Sequence, residues 1–335
     1  MTSLTPDQPE PVFARPSEEE VERVICASLV SDTRGVYATM EQIRESAMRH
    51  NPLVGIHAAL VYQSGWFVYW IEGSKGVVRE LLERISLDSR HQAQYVVHRS
   101  SGRHMLMTPW SMMLSPSREG REAFGRRVIA LSEQVGRGTP SPPTSIIRRL
   151  VMPMRLTKVL RSPDPDAYHR VVFCAATGDG AFSLVRWLSD QYGTPVESRR
   201  HAGTANLDSA SAYVEFLHSG YPCRVIAVAR SNLTHGLHRS LLQDWRFLVL
   251  LFSGDPKRDA ALLERVHEAF QGMPSTPEVL VISPDAQTQA LVDDVARTYG
   301  LACLEVGHLS EQDSAAIWFA VRDRLDQIGA PRPSV

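Results

Sequence analysis

"GWFVYWIEGSKGVVRELLERISLDSRHQAQ", residues 65–94, sets an aromatic strand, an Ile-Glu-Gly turn, a helix and an Asp-Ser-Arg-His loop in one short stretch. Its helical part carries Val77, Val78, Leu81, Leu82 and Ile85 on a single face, the spacing of an amphipathic helix. Just upstream, GIHAALVY and WFVYWIEG are strand-like runs joined by Gln-Ser-Gly, a hairpin-sized connection. Before them, VERVICASLVS is rich in β-formers, and ATMEQIRESAMRHN puts Met40, Ile43 and Ala47 on one helical face and stops near Asn51. Downstream, QAQYVVHRS and MTPWSMMLS predict closing strands, and SREGREAFGRRVIALSEQVG a further helix. The order predicts an α+β unit over residues 19–138, two helices crossing one face of a small mixed sheet.

The chain has 335 residues. That favours two domains, since single cores rarely grow beyond roughly 250 residues. Lys and Arg number 36 against 37 Asp and Glu, a formal charge of −1 that argues against a generic nucleic-acid binder. No apolar run approaches the roughly 20 residues that span a bilayer. Residues 1–18, acidic and proline-rich, predict a disordered lead-in and no targeting peptide. Cys26, Cys174, Cys223 and Cys303 are scattered without CxxC spacing, which predicts reduced thiols and a cytoplasmic protein. None of the 12 histidines pairs at HxxxH or HExxH spacing, so no metal site is expected.

Residues from about Val21 to Met113 resemble the BLUF domain, a family of blue-light sensors that use flavin. MRHNPLVGIHAALVYQSGWFVYWIEG parallels the family's helix-end Asn, its Gly-Ile-Thr-Gly strand and its aromatic strand ending in Glu-Gly. ISLDSRH parallels its Asp-x-Arg-His loop, and PWSMML its Trp-Ser-Met ending. The resemblance implies a ferredoxin-like fold with a flavin, FAD, between the two helices and its ring edge facing the sheet. It implies that Asn51 hydrogen-bonds the flavin carbonyl edge with His50 beside it. Arg90 and His91 would lie near the polar edge and phosphate side, and Trp110 and Met112 on the last strand, whose rearrangement carries the signal. An amide meets both donor and acceptor edges of a flavin, and a guanidinium suits its anionic tail.

Two departures stand against this. The family's photochemistry uses a Tyr on the first strand and a Gln on the third, and here Cys26 and Tyr69 occupy those positions. The second Gly of Gly-Ile-Thr-Gly is also changed, so that GIHA presents His57 and Ala58. A thiol does not reach as far as a phenol, and a phenol lacks the paired donor and acceptor of an amide. Two readings stay open. In one, a small and a large residue exchange places to conserve volume, and Tyr69 fills the pocket of a structural or empty site. In the other, the flavin site is rewired with Tyr69 as donor. Trp66, Trp70 and Trp110 would quench a bound flavin, and core packing explains them equally well.

RGTPSPPT is the clearest linker signal, and SIIRRLVMPMRLTKVLRS after it carries Arg148, Arg149, Arg155, Lys158 and Arg161 without an acid. Residues 139–167 are expected to be a Pro-rich, basic linker, either a helix lying on a neighbouring domain or a docking segment for an acidic partner or membrane surface. Over 168–331, apolar strands alternate with amphipathic helices, which predicts an α/β doubly wound, mostly parallel sheet. Its start, VVFCAATGDGAFSLVRWLSD, is similar to that of Ras-like GTP-binding proteins, especially bacterial motility-type GTPases. A working phosphate loop reads GxxxxGK[ST]. Gly178 lies inside this loop and Gly180 matches its second glycine, but Ala175 replaces the first, and Ala181 and Phe182 stand where Lys and Ser/Thr belong. RVIAVARSN lacks the DxxG residues, and VISPDA keeps only Asp285 of NKxD. GTP binding is not expected. Asp208, His235, His238 and His169 define no triad, so no catalytic residue is assigned and the chain is not expected to be an enzyme. The expectation is a signalling protein with a BLUF-like sensor and a pseudo-GTPase, acting through protein contacts and plausible as a homodimer. A cofactor-free scaffold, for example in a motility or polarity complex, is the rival.

Overall fold

The computed structural model describes residues 20–115, 117, 119–138, 141–156, 166–201, 209–329 and 331; the expected lead-in at 1–18 lies outside them. The first sheet comprises β1 (Val21–Val30), β2 (His57–Gln63), β3 (Trp66–Gly73), β4 (His91–Gly102) and β5 (Ser111–Leu114), in the order β4-β1-β3-β2-β5. Only β2 and β5 pair in parallel. Ser64 and Gly65 both take positive φ (51° and 81°) in the β2–β3 turn, the conformation whose twist matches a two-residue hairpin.

Alternation along the strands splits the apolar residues between two faces. The front face carries Val24, Cys26, Leu60, Phe67 and Tyr69 beneath α1 (Val36–His50) and α2 (Lys75–Ser86). The back face carries Ile25, Val61, Val68, Trp70 and Val97 beneath α3 (Arg121–Gly136) and α4 (Pro143–Val151). This is the mixed sheet with two helices on one face that the sequence predicts. The segment expected as a linker contributes α4 to that back layer: Ile146, Ile147, Leu150 and Val151 are all buried. Arg148 is buried with them and is not presented for docking. Lys158 and Arg161 fall outside the described residues.

The second sheet has seven strands: β6 (His169–Ala175), β7 (Glu197–His201), β8 (Ser209–His218), β9 (Tyr221–Val228), β10 (Phe247–Leu251), β11 (Glu278–Ser283) and β12 (Cys303–His308). Their order is β12-β11-β10-β6-β9-β8-β7; β12 through β9 run parallel, and β8 and β7 are antiparallel. One face packs on α5 (Gly180–Tyr192) and α10 (Ser314–Ile328) through Leu184, Leu188, Ile317 and Trp318. The other packs on α8 (Pro256–Phe270) and α9 (Ala286–Thr298) through Leu262, Val266 and Val292. The sequence reading missed β7 and β8, because ESRRH is polar throughout and announces no apolar face. After β9 the chain forms a broken helix: α6 (Arg230–Thr234) and α7 (Gly236–Leu241) flank an extended His235, and a 3-10 turn follows.

Residues 148–155 bind this sheet to the first. Arg148 of α4 pairs with Asp244, whose side chain is fully buried, and lies 3.9 Å from Asp166. Arg224 is 1% exposed, pairs with Glu215 and donates to the Met152 carbonyl at 2.9 Å. Glu215 in turn accepts from the Arg155 amide at 2.9 Å.

Three buried histidines give this fold an acid limit. Burial pushes His98 and His169 down to about 4 and His238 down to about 3, with Arg23, His218 and His235 as the next cause in turn. Each is neutral in the folded chain, whereas an unfolded His protonates near 6.5. A depressed folded pKa gives stability that is complete above the unfolded value and lost as pH falls toward the folded one. We expect the urea midpoint to hold near pH 7 and to drop between about 6.5 and 4, with each histidine contributing on the order of 1–3 kcal/mol.

Candidate functional site

A cavity of about 290 Å³ opens between α1, α2 and the front of the first sheet. Its floor is Leu60, Phe67, Tyr69 and Ile71, and its helical walls are Ile43 and Ala47 of α1 and Leu81 and Ile85 of α2. The walls are aliphatic because α1 and α2 turn their apolar stripes inward; the small Ala47 and Ala58 keep the helices and β2 from closing the gap. Apolar walls with few polar groups characterise small-molecule sites, and the volume sits near their lower size limit.

Polar groups reach the cavity from both edges of the sheet. Asn51 caps α1, is 6% exposed, and donates from Nδ2 to the Pro109 carbonyl at 3.0 Å. Trp110 enters the cavity with its Nε1 buried and unpartnered. Tyr69 Oη is likewise buried without a hydrogen bond of ordinary geometry. Burial, followed by the neighbouring Cys26, pushes its phenol pKa far up, so Tyr69 holds its proton. Burial also pushes the Cys26 thiol up to about 12. Arg90 and the exposed Arg84 line the mouth. Arg90 donates from Nε to Asp88 at 2.8 Å, and this bond holds the Asp88 carboxyl below the usual range. His91 lies across from Tyr69, ring centroids 6.2 Å apart, and burial lowers its pKa.

His50, Asn51, Tyr69, Arg90, His91 and Trp110 therefore share one cavity. His50 turns one ring nitrogen back along α1 to the Ser46 carbonyl at 2.7 Å. Met112 is buried in the front layer without lining the cavity, and Cys26 lies behind Tyr69. His57 points away, to the Leu106 carbonyl and the His104 ring, 4.4 Å between centroids. Trp66 and Trp70 belong to the back layer, so only Trp110 of the three tryptophans is placed to meet a ligand. A buried, orphaned donor in the wall of an apolar slot fits the edge of a planar heteroaromatic group, and two guanidiniums at the mouth fit an anionic tail.

The β6–α5 loop is built differently. Gly178 takes φ 58°, and a Cβ at Gly180 would lie 3.0 Å from the Glu311 carbonyl. Glu311 rests its carboxylate against both glycines, with one oxygen unpartnered; burial, then Asp179 and Asp259, raises its pKa. Ala181 is packed into the α5 core, and Phe182 is half-buried against it. Asp285, the remnant of NKxD, caps α9 by accepting from the Thr288 amide at 2.7 Å. His235 and His238 stack edge to face at 5.9 Å, His169 is buried in β6, and Asp208 lies outside the described residues. Among the described residues no cluster of potential metal ligands exists and no helix is long and apolar enough to cross a membrane.

The two domains meet at the strand beside the cavity. Pro109 accepts from Asn51 and from the Ala58 amide, and Trp110 faces the cavity. Ser111 then faces the other way, onto Gly236 of α7, and Met113 shares the back layer with Leu237 and Leu241 of that helix. Sequence reading missed this contact because Gly236 and Ser111 carry no signal of proximity. It also missed Gln94, which bears on Cys26 and Tyr69.

No curated protein matches the chain. Among solved structures, the BlsA photo-activated state is 20% identical over 39% of this chain and 95% of its own, with a TM-score of 0.29. The dark state of BlrB, a BLUF protein, is 24% identical over 37% and 91%, with a TM-score of 0.26. A Klebsiella pneumoniae BlrP1 calcium/cy-diGMP complex is 14% identical over 84% and 74%, with a TM-score of 0.29. Residues 22–113, the part of the chain that forms the first sheet and the cavity, match the model of the BLUF family, sensors of blue-light using FAD.

Proposed function

We propose that the chain is a blue-light sensor that holds FAD between α1 and α2 and passes its state to a second, nucleotide-free domain. The observation that carries this reading is the slot itself, walled by apolar side chains and by Trp110, whose Nε1 is buried without a partner. Buried polar atoms are normally satisfied, so this orphan in the cavity wall marks a missing partner. Bound FAD would supply the absorption of blue light. Asn51, Trp110 and Tyr69 would hold the ring edge, and Arg84 and Arg90 the phosphates. Asn51 already fixes Pro109, so a change at the ring edge bears on Trp110 and on β5, which follows it.

The second domain we read as a doubly wound, GTPase-like sheet that no longer binds nucleotide and works through contacts. Its support is the strand order, with the β6–α5 turn at the centre of the seven-stranded sheet, and the Glu311 carboxylate resting against the glycines of that turn. Helix N-termini attract anions; here the anion belongs to the chain. The reading assigns no enzymatic turnover, and its partners are proteins.

Filling the slot tests the reading. Ala47→Trp places an indole where the ring would lie, and we expect FAD affinity, followed by flavin fluorescence quenching, to fall at least about tenfold, or ~1.4 kcal/mol, with circular dichroism unchanged. Unchanged affinity in this variant, or a wild-type chain that takes up no FAD, would overturn it.

A further inference from the structure

A second cavity, of about 220 Å³, lies on the back of the first sheet among β4, α3 and α4. It approaches the front cavity in size and faces away from α1 and α2. β4 is the outermost strand of its sheet, and an irregularity in it shapes one wall. Ile25 pairs with His98 and Cys26 with Val96, so Val97 and His98 together oppose Ile25. Regular alternation would turn one of them to the front. The bulge leaves both on the cavity wall. Protein interiors leave few voids larger than a water molecule, so a space of this size calls for an occupant.

The walls set the character of that occupant. Val97, Leu131, Val135 and Ile146 supply an apolar lining. His98, 2% exposed, has Nε2 on Ser100 Oγ at 2.7 Å, and burial keeps its ring neutral. Arg99, also in the wall, is taken by Glu22 at 2.8 Å. Arg149 is different. It is half-buried and donates from Nη1 to Gln134 Oε1 at 3.4 Å and to Ser141 Oγ at 3.5 Å, two neutral acceptors that both line the cavity. Both bonds are longer than an ordinary N–H···O bond. A guanidinium held so loosely by neutral groups favours a carboxylate, whose charge-assisted, bidentate bonds are the stronger ones.

We propose that this cavity binds a small aromatic carboxylic acid, its ring among Val97, Leu131, Val135 and Ile146 and its carboxylate on the Arg149 guanidinium. The size suits a single ring, since an apolar cavity of roughly 150 Å³ already takes up benzene. Arg149 adjoins Arg148 on α4, and Arg148 pairs with Asp244 of the second domain. A ligand that fixes α4 therefore acts one residue from the joint between the domains, and it does so without flavin.

The probe is benzoate, titrated into the full FAD-free chain with ¹³C in the Ile, Leu and Val methyl groups. The methyl resonances of Val97, Leu131, Val135 and Ile146 are expected to shift saturably, and those of Ile43, Leu81 and Ile85 in the front cavity to stay. Benzyl alcohol, with the same ring and no charge, is expected to bind at least about tenfold more weakly, and Arg149→Gln to bring benzoate down to that level. Val135→Phe, which fills the space, is expected to abolish both responses with circular dichroism unchanged. Should the phenyl unfold the chain, Arg149→Gln still decides, because it removes the charge and leaves the apolar walls in place. No saturable shift, shifts in the front cavity alone, or equal benzoate affinity in wild type and Arg149→Gln would overturn the site.

Discussion

Gly236→Ala is expected to separate the sensor from the domain it addresses. A Cβ there would lie 2.3 Å from Thr108 Oγ1 and 3.0 Å from Ser111 Cβ, so α7 and the strand at Ser111 must part. The hydroxyl of Thr108 can swing aside, but Ser111 Cβ is fixed to β5. Overpacking of this kind costs typically 1–3 kcal/mol. The loss falls on the one strand whose neighbouring residue, Trp110, lines the cavity. We expect hydrogen exchange over residues 108–114 and 236–241 to accelerate while α1, α2 and the cavity keep their protection, and FAD binding to persist. Adding Thr108→Ala removes the closest contact and should recover part of the protection. Unchanged exchange at both segments would show that the two domains do not depend on this contact.

The second large effect is expected at Asp244. Its side chain is fully buried and meets Arg148, itself only 5% exposed, while Arg170 donates to the Asp244 carbonyl at 3.3 Å. Asp244→Ala removes the close partner of the buried Arg148 guanidinium and leaves Asp166 3.9 Å away. Removing one member of a buried pair costs about 3–5 kcal/mol, because the other charge stays desolvated. Two apolar replacements of similar volume restore much of that, so Arg148→Met with Asp244→Leu should unfold at higher urea than Asp244→Ala alone. Since Arg148 lies on α4 under the first sheet and Asp244 precedes β10, the loss should appear in both domains together. Loss confined to one would mean that the pair does not join them.

Much of the first domain was legible in its sequence. The continuous aromatic and β-branched run of WFVYWIEG and the spacing of Val78, Leu81 and Ile85 fix strand and helix locally, and Asn51 ends α1 where the periodicity stops. Burial of one face follows from those patterns without any knowledge of partners. The parallel strands of the second domain were legible for the same reason, as continuous apolar runs such as FLVLL. β7 was not, because ESRRH has no apolar face of its own to announce and gains its place only by pairing with β8. The sequence left α4 open between a helix lying on a neighbouring domain and a docking segment because Arg148 and Arg149 look solvated in sequence, and only the distant Asp244 offsets burial of the first. For the site, residue types in the Asp-x-Arg-His and Trp-Ser-Met stretches led to the cavity, but Gln94 depended on a bulge of β4 against β1 that periodicity cannot foresee.

The most direct measurement is the absorption spectrum of the full chain loaded with FAD, in the dark and under blue light. Tyr69 lies in the cavity wall and its proton is held by burial. The account predicts a flavin band that moves to longer wavelength on illumination and returns in the dark. A bound flavin whose band does not move would contradict the sensor, and a chain that binds no flavin would contradict the site.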